Sequence, residues 1–185
     1  GATRNGDGYF RTALASAAAS GHYFDTLIVA PSFKGNDGQS CKDATEENEL
    51  YWGCQLWNAG YRAQNGTETS FEAIDKLVQL AGNLDQFPNL KEIVIAGHSG
   101  GGQFAQRYAA TNRAETGSKI PVRYLVANPS SFVYLSELRL RNDAVCSPDG
   151  KCTGAFTPYW DRANCTGFNK YRYGLESLTG YATGV

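Results

Sequence analysis

The stretch IVIAGHSGGGQFAQRYA, Ile93 to Ala109, is the most informative part of this chain. A β-branched apolar run comes first, a serine between glycines follows, and a segment with apolar residues at helical spacing ends it. This order predicts a buried strand, a tight turn and an amphipathic helix. It also raises a chemical question: whether Ser99 is a nucleophile, and which residue would then be its base.

The turn itself, Gly97-His98-Ser99-Gly100-Gly101, fits the pattern G-x-S-x-G. A serine at a sharp strand-to-helix turn has a strained backbone, and the flanking glycines let strand and helix approach closely. The turn directs the amide of Gly100 toward a developing oxyanion, near a helix N-terminus that favours negative charge. A Gly-rich loop that only permits close packing is the alternative. A phosphate-binding loop fits less well, because G-x-G-x-x-G and the Lys-Ser/Thr ending of a P-loop do not occur.

Outward from this stretch, apolar periodicity predicts helices and strands in alternation. The predicted elements are helix 9–20, strand 26–30, helix 69–82, strand 92–96, helix 101–111 and strand 122–127. Thr69 and Glu72 form a capping-box pair at the start of the second helix. The alternation is typical of a parallel sheet with helices on both faces. We therefore expect an α/β fold with three layers, α/β/α, and a mostly parallel sheet.

Two long irregular segments interrupt this alternation. Residues 32–65 are polar and rich in Gly but contain Trp52 and Trp57, which either pack under the loop or contact a substrate; packing is the simpler interpretation. Residues 129–185 lack a long period of either kind. We expect them to form a cap-like excursion within a single domain, 1–185.

Composition limits the classes of function. The 185 residues are 42% hydrophobic and 19% charged, which is typical of one globular domain. The net charge of -1 gives no field that would attract nucleic acid or an anionic membrane, so neither is an expected partner. No apolar run approaches the ~18 residues that span a bilayer. The chain has no methionine and no signal-like opening, so we expect it to be processed or partial.

The five cysteines predict small disulfide loops. Cys146 and Cys152 enclose a Pro-Asp-Gly turn, which suits a short closed loop, and Cys41 and Cys54 could close a second one. Cys165 is then the odd cysteine, and in an oxidising compartment it suggests a partner outside the chain as given.

Metal binding is the alternative use of these cysteines. The chain has only two histidines, His22 and His98, and no C-x-x-C spacing, so we expect no metal site. Two glycosylation sequons begin at Asn65 and Asn164. Together with the expected disulfides, they indicate a secreted glycoprotein.

These motifs resemble those of the α/β-hydrolase superfamily, over nearly the whole chain. In that superfamily the strand before the first helix commonly ends in His-Gly, and the next amide completes the oxyanion hole. The opening residues 1–5, GATRN, resemble the continuation of such a His-Gly, so the resemblance implies that the amide of Ala2 is the second oxyanion donor. Three further segments resemble a group of secreted hydrolases of fungi and bacteria: VAPSF (29–33), NPSSFVYL (128–135) and CTGFNKYRYGLESL (165–178).

A serine hydroxyl needs a base, and neither histidine is suitable. His22 follows the first helix, at the amino end of the predicted sheet, and a strand is roughly 17–20 Å long, so it lies far from Ser99. His98 is adjacent to Ser99 in the turn 97–101, which we call the elbow, and its side chain projects in a direction that diverges from that of Ser99. In the superfamily the acid and the histidine follow later strands, but here Asn128 ends the last predicted strand. We therefore expect a fold that is incomplete at both ends.

The sequence thus predicts a secreted serine hydrolase that cleaves an ester, or an amide, through an acyl-enzyme on Ser99. The substrate would be a small-molecule or polymer ester, with no metal or organic cofactor. The acid and the histidine would come from sequence missing from this chain, or from a second polypeptide. The alternative is a catalytically inactive, hydrolase-like binding domain. A mechanism without a triad is the least favoured, because nothing else predicted near Ser99 accepts a proton.

Overall fold

The strand, turn and helix predicted around Ser99 are present in the structure. This computed structural model describes residues 3–141, 145–149, 151–153 and 156–184, with backbone alone for residues 145, 152 and 153. The chain divides into two compact units, Gly1–Ser130 with Gly180–Val185, and Ser131–Thr179.

The first unit contains α1 (Gly6–Ala19), β1 (Lys34–Gly35), β2 (Tyr51–Trp52), a 3₁₀ turn (Trp57–Ala59), α2 (Ser70–Ala81), β3 (Ile93–His98), α3 (Gly100–Thr111), α4 (Ala114–Gly117), β4 (Val122–Ala127) and a 3₁₀ helix (Gly180–Gly184). The second unit contains β5 (Leu138–Leu140), β6 (Val145–Cys146), β7 (Cys152–Thr153) and β8 (Phe156–Pro158). None of the described helices has the length and apolar character that crossing a bilayer requires.

The predicted capping box begins α2. The hydroxyl of Thr69 accepts a hydrogen bond from the Glu72 amide at 3.1 Å, and the Glu72 carboxylate accepts one from the Thr69 amide at 2.7 Å. Both amides belong to a helix start, where no intrahelical acceptor is available. α1 begins earlier than predicted because the Asn5 side chain accepts a hydrogen bond from Gly8 and caps the helix ahead of its first apolar residue.

β3 and β4 pair in parallel, as predicted. Their register runs from Ile93 opposite Val122 to His98 opposite Ala127. α3 connects the two strands and packs against both of them. The other described strand pairs are β1–β2, also parallel, and the antiparallel pairs β5–β8 and β6–β7. Every sheet in the described ranges has two strands, so the structure shows a mixed α/β chain.

The predicted strand 26–30 is wrong. This segment has no strand pairing, and Leu27 and Val29 are 62% and 58% exposed. A strand exists only where a second backbone supplies the hydrogen bonds of a ladder, and no described residue does so here. The strand predicted before Ser99 is present, but the expectation that it is buried is wrong for one of its faces, since Val94 is 53% exposed. Helix α3 and the core cover only one face of β3.

Both tryptophans of the segment 32–65 belong to the core. Trp52 is 3% exposed and Trp57 is 4% exposed. Phe33 stacks on Trp57 with ring centroids 5.3 Å apart and lies 5.2 Å from Phe104 of α3. Such aromatic pairs stabilise a core beyond the area they bury. The packing interpretation of the two tryptophans is therefore confirmed, and their aromatic cluster ties this segment to the helix that follows Ser99.

The second unit is organised around a buried arginine. The guanidinium of Arg139 lies 4.0 Å from the ring centre of Tyr134 and donates to the Phe168 carbonyl at 2.8 Å. Burial lowers the pKa of Arg139, although its charge is retained at any ordinary pH. Gly180–Val185 belongs to the first unit. The expectations of one domain and of a cap-like segment 129–185 stay predictions.

Candidate active site

Ser99 has the strained backbone that its motif predicts. Its φ is 56° and its ψ is -118°, a combination that residues with a side chain rarely adopt. The Ser99 amide donates to the Ala127 carbonyl of β4 at 2.9 Å, and the Ser99 carbonyl accepts from the Gln103 amide of α3 at 3.0 Å. The residue is thus held from both sides, and its side chain is partly exposed.

Glycines bring the strand and the helix together at this turn. A Cβ on Gly97 would overlap the backbone of Gly101. A Cβ on Gly102 would lie 2.5 Å from the Ala127 carbonyl oxygen. The first contact lies within the G-x-S-x-G pattern, whereas Gly102 lies outside the pattern and was not predicted. In the sequence, Gly102 could have been recognised as the third glycine of the run GGG. Glycine disfavours a helix, so a helix that carries one usually needs it for close packing.

Gly100, the first predicted oxyanion donor, lies at the start of α3. Gly100 is buried and is the first residue of α3, so its amide is one of those that a helix start leaves without an intrahelical acceptor. Such an N-terminus favours negative charge. Ala2, the second donor implied by the resemblance, lies outside the described residues.

Neither histidine side chain is hydrogen-bonded to Ser99 in the part of the chain that the structure describes. Nδ1 of His98 is hydrogen-bonded to the Tyr9 hydroxyl at 2.8 Å, which holds the ring toward α1. His22 is exposed and pairs with Asp25 at 2.9 Å, in the turn after α1. That neither residue is the base stays a prediction.

A buried polar network adjoins the elbow and was not predicted. Oε1 of Gln103 accepts from Nδ2 of Asn58 at 2.7 Å, and Nε2 of Gln103 donates to the hydroxyl of Ser130. Arg107, fully buried, donates to Oδ1 of Asn58 at 2.9 Å. The sequence signal is polar residues four apart, at Ser99 just before α3 and at Gln103 and Arg107 within it, on a helix that also carries apolar core residues.

The residues just before α1 are anchored by an ion pair. Nε and Nη2 of Arg4 donate to the two oxygens of Asp43 at 2.6 and 2.9 Å, and the Gly35 amide donates to Asp43 at 2.7 Å. The hydrogen bonds from Arg4 hold the pKa of Asp43 at about 2, against the cost of burial. The predicted disulfide between Cys41 and Cys54 is present beside this pair. It closes the loop that carries Asp43.

The other cysteine predictions have mixed outcomes. Cys146 is disulfide-bonded, and its backbone faces Cys152 across the β6–β7 pair. The Cys152 side chain lies outside the described residues, so the pairing itself stays a prediction. Cys165 carries an exposed, free thiol, as expected of the odd cysteine.

One group of potential metal ligands occurs among the described residues, and it consists of Asp37, Cys41 and Cys54. Two of its three members form the disulfide, and disulfide sulfurs are not thiolate ligands. This group therefore does not bind a metal ion while the disulfide is intact.

Both sequon asparagines are exposed, as glycan acceptors must be. Asn65 accepts from the Tyr51 amide at 3.0 Å and donates to the Glu49 carbonyl at 2.8 Å. Asn164 donates to Asp161 at 2.8 Å. Their glycosylation stays a prediction.

Together, the fold and the site define a mixed α/β protein in which a strained serine connects a parallel strand to a helix. Comparison with protein-family models, with curated proteins and with solved structures finds no match for this chain.

Proposed function

We propose that this chain is part of a secreted serine hydrolase that cleaves an ester, or an amide, through an acyl-enzyme on Ser99. The observation that carries the proposal is the backbone of Ser99, with φ 56° and ψ -118° at a strand-to-helix turn. Strained conformations persist where the surrounding structure enforces them, and they cluster at active sites. Here two backbone hydrogen bonds and two close glycine approaches enforce it.

In the proposed mechanism, Oγ of Ser99 attacks the substrate carbonyl carbon and its proton passes to a histidine. The amides of Gly100 and Ala2 hold the oxyanion of the tetrahedral intermediate. Collapse of the intermediate expels the alcohol, which takes the proton from the histidine, and water then hydrolyses the acyl-enzyme. Because His22 and His98 are held elsewhere, the catalytic histidine and its acid come from sequence outside these 185 residues or from a second polypeptide.

The fold we propose around this site is a three-layer α/β/α sandwich of the α/β-hydrolase type. Its support is the parallel β3–β4 pair, with α3 packed on one face. On the face of the two strands opposite α3, Val94 and Leu125 are exposed apolar residues that a further layer would cover. The disulfide supports secretion, because such bonds persist in oxidising compartments.

A catalytically inactive binding domain is the second candidate. It is favoured by one observation: no described residue forms a hydrogen bond with the Ser99 hydroxyl, so nothing among them activates it. The two candidates differ in whether the serine reacts, and one experiment separates them.

A fluorophosphonate probe, applied to the protein as it is naturally secreted, tests the proposal. Stoichiometric labelling that maps to Ser99, abolished by Ser99→Ala and retained by Ser20→Ala, would support the hydrolase. Ser20 is an exposed serine at the end of α1 and serves as the matched control. No labelling of Ser99 would favour the binding domain. Intact mass before and after reduction shows whether a second polypeptide is attached through Cys165.

A further inference from the structure

Gln103 contacts three separate segments of the first unit. Its backbone amide donates to the Ser99 carbonyl at 3.0 Å, in the first hydrogen bond of α3. Its side-chain oxygen accepts from Asn58 of the 3₁₀ turn, and its side-chain nitrogen donates to Ser130, which follows β4. One residue thus joins the elbow, the 3₁₀ turn and the segment after β4.

The contacts with the 3₁₀ turn lie in a water-poor environment, whereas Ser130 is exposed. Gln103 is 8% exposed, Asn58 is 1% exposed, and Arg107 on the next turn of α3 is fully buried. Arg107 donates to both the carbonyl and the side-chain oxygen of Asn58, at 3.1 and 2.9 Å. Hydrogen bonds are stronger in such surroundings, and breaking one leaves a buried polar group unsatisfied. The network therefore holds one arrangement of the three segments.

The Gln103–Ser130 bond closes a ring around the nucleophile. The Ser99 amide donates to the Ala127 carbonyl, the chain then turns at Asn128 with φ 45°, and Ser130 accepts from Gln103. Gln103 in turn donates its amide to the Ser99 carbonyl. Every link of this ring is a hydrogen bond or a short piece of chain, so the position of Ser99 and that of the segment 128–130 are set together.

From this geometry we infer that Gln103 is a positioning residue of the elbow. It acts through the backbone of Ser99 and through residues 128–130, which directly follow Ala127, the acceptor of the Ser99 amide. The inference rests on the proposed function, since it assigns Gln103 to the same reaction. Preorganised geometry is what such a residue contributes, and a small misplacement of the reacting atom costs about 100-fold in rate.

The test uses the secreted protein and two readouts, the rate constant of fluorophosphonate labelling at Ser99 and the hydrogen exchange of the Ser99 amide. Gln103→Leu keeps the side-chain size but removes the side-chain hydrogen bonds to Asn58 and to Ser130. We expect labelling to slow by about 10- to 100-fold and the Ser99 amide to exchange about 10-fold faster. Gln103→Glu restores both readouts, because a carboxylate accepts from Asn58 and from the Ser130 hydroxyl.

Tyr108→Phe is the matched control. Tyr108 also lies on α3, is fully buried, and donates to Asp75 at 2.6 Å, away from the elbow. Loss of this hydrogen bond should lower the free energy of unfolding but leave both Ser99 readouts unchanged. A double variant of Gln103→Leu with Ser130→Ala should be no slower than Gln103→Leu alone, because both changes break the same bond.

The two proposals fail in different ways. If wild-type Ser99 labels and folded Gln103→Leu labels at the same rate, the positioning role is wrong and the hydrolase stands. If wild-type Ser99 never labels, the hydrolase is wrong, and the exchange of the Ser99 amide then decides the structural claim. Unchanged exchange in Gln103→Leu would overturn it.

Discussion

The Tyr9 hydroxyl lies 2.8 Å from Nδ1 of His98, the residue immediately before Ser99. This bond connects the first turn of α1 to the end of β3, and the two rings lie 6.2 Å apart. Successive side chains of a strand point to opposite faces, and His98 is on the exposed face. The His98 ring is therefore hydrogen-bonded to α1, which gives this histidine a packing role beside Ser99.

We predict that His98→Ala leaves fluorophosphonate labelling of Ser99 within about threefold of wild type. A general base contributes about 100- to 10,000-fold, so removal of the true base would have a far larger effect. Tyr9→Phe, which removes only the hydroxyl that holds the ring, should behave like His98→Ala. The measurement is the labelling rate constant at equal folded fraction. A loss of 100-fold in His98→Ala would make His98 the base.

Local patterns explain which parts of the fold were predictable. The capping box at Thr69 and the glycine spacing around Ser99 act over a few residues, and both formed as predicted. The strand expected over 26–30 depends on a distant backbone to pair with, which its own residues do not encode. The hydrogen bonds of Gln103 could not be predicted from local patterns either, because its partner Asn58 is 45 residues away in the chain.

The strain at Ser99 predicts an unusual order of stability among its variants. Ser99→Gly should have a free energy of unfolding about 1 kcal/mol higher than Ser99→Ala, because glycine adopts positive φ without a Cβ penalty. Ser20 has φ -89° and is the control: there the glycine variant should be the less stable one. Urea unfolding of the four variants measures both differences. If the difference in free energy of unfolding between the glycine and alanine variants had the same sign at both positions, backbone strain at Ser99 would be contradicted.

Gly102 carries the second close approach of the elbow. In Gly102→Ala, the new Cβ would lie 2.5 Å from the Ala127 carbonyl oxygen, so α3 must shift away from β4. We expect a loss of about 2 kcal/mol in the free energy of unfolding, together with slower labelling of Ser99. Gly117→Ala is the control, since a Cβ there meets open space within 4 Å. Equal stability of the two variants would contradict the tight contact.

The Arg4–Asp43 pair predicts how stability depends on pH. The pKa of Asp43 is lowered from 3.8 to about 2, chiefly by the hydrogen bonds from Arg4. A carboxyl whose pKa is lower in the folded state binds protons more readily when unfolded, so its stabilisation is complete above pH 3.8 and is lost as pH falls toward 2. The Asp43 side chain is 30% exposed, so we expect about 1 to 2 kcal/mol after allowance for solvent screening.

Asp43→Asn should therefore lower the free energy of unfolding by that amount at pH 7 and should flatten its decline between pH 4 and pH 2. Asp85→Asn, at an exposed aspartate in the turn after α2, is the matched control and should keep the wild-type decline. Urea unfolding of the three proteins at pH 7, 4, 3 and 2 measures the effect. An equally steep decline in Asp43→Asn would show that other carboxyls carry the acid sensitivity. Because Arg4 directly precedes the helix-capping Asn5, a confirmed effect would also show that this pair anchors the segment leading into α1.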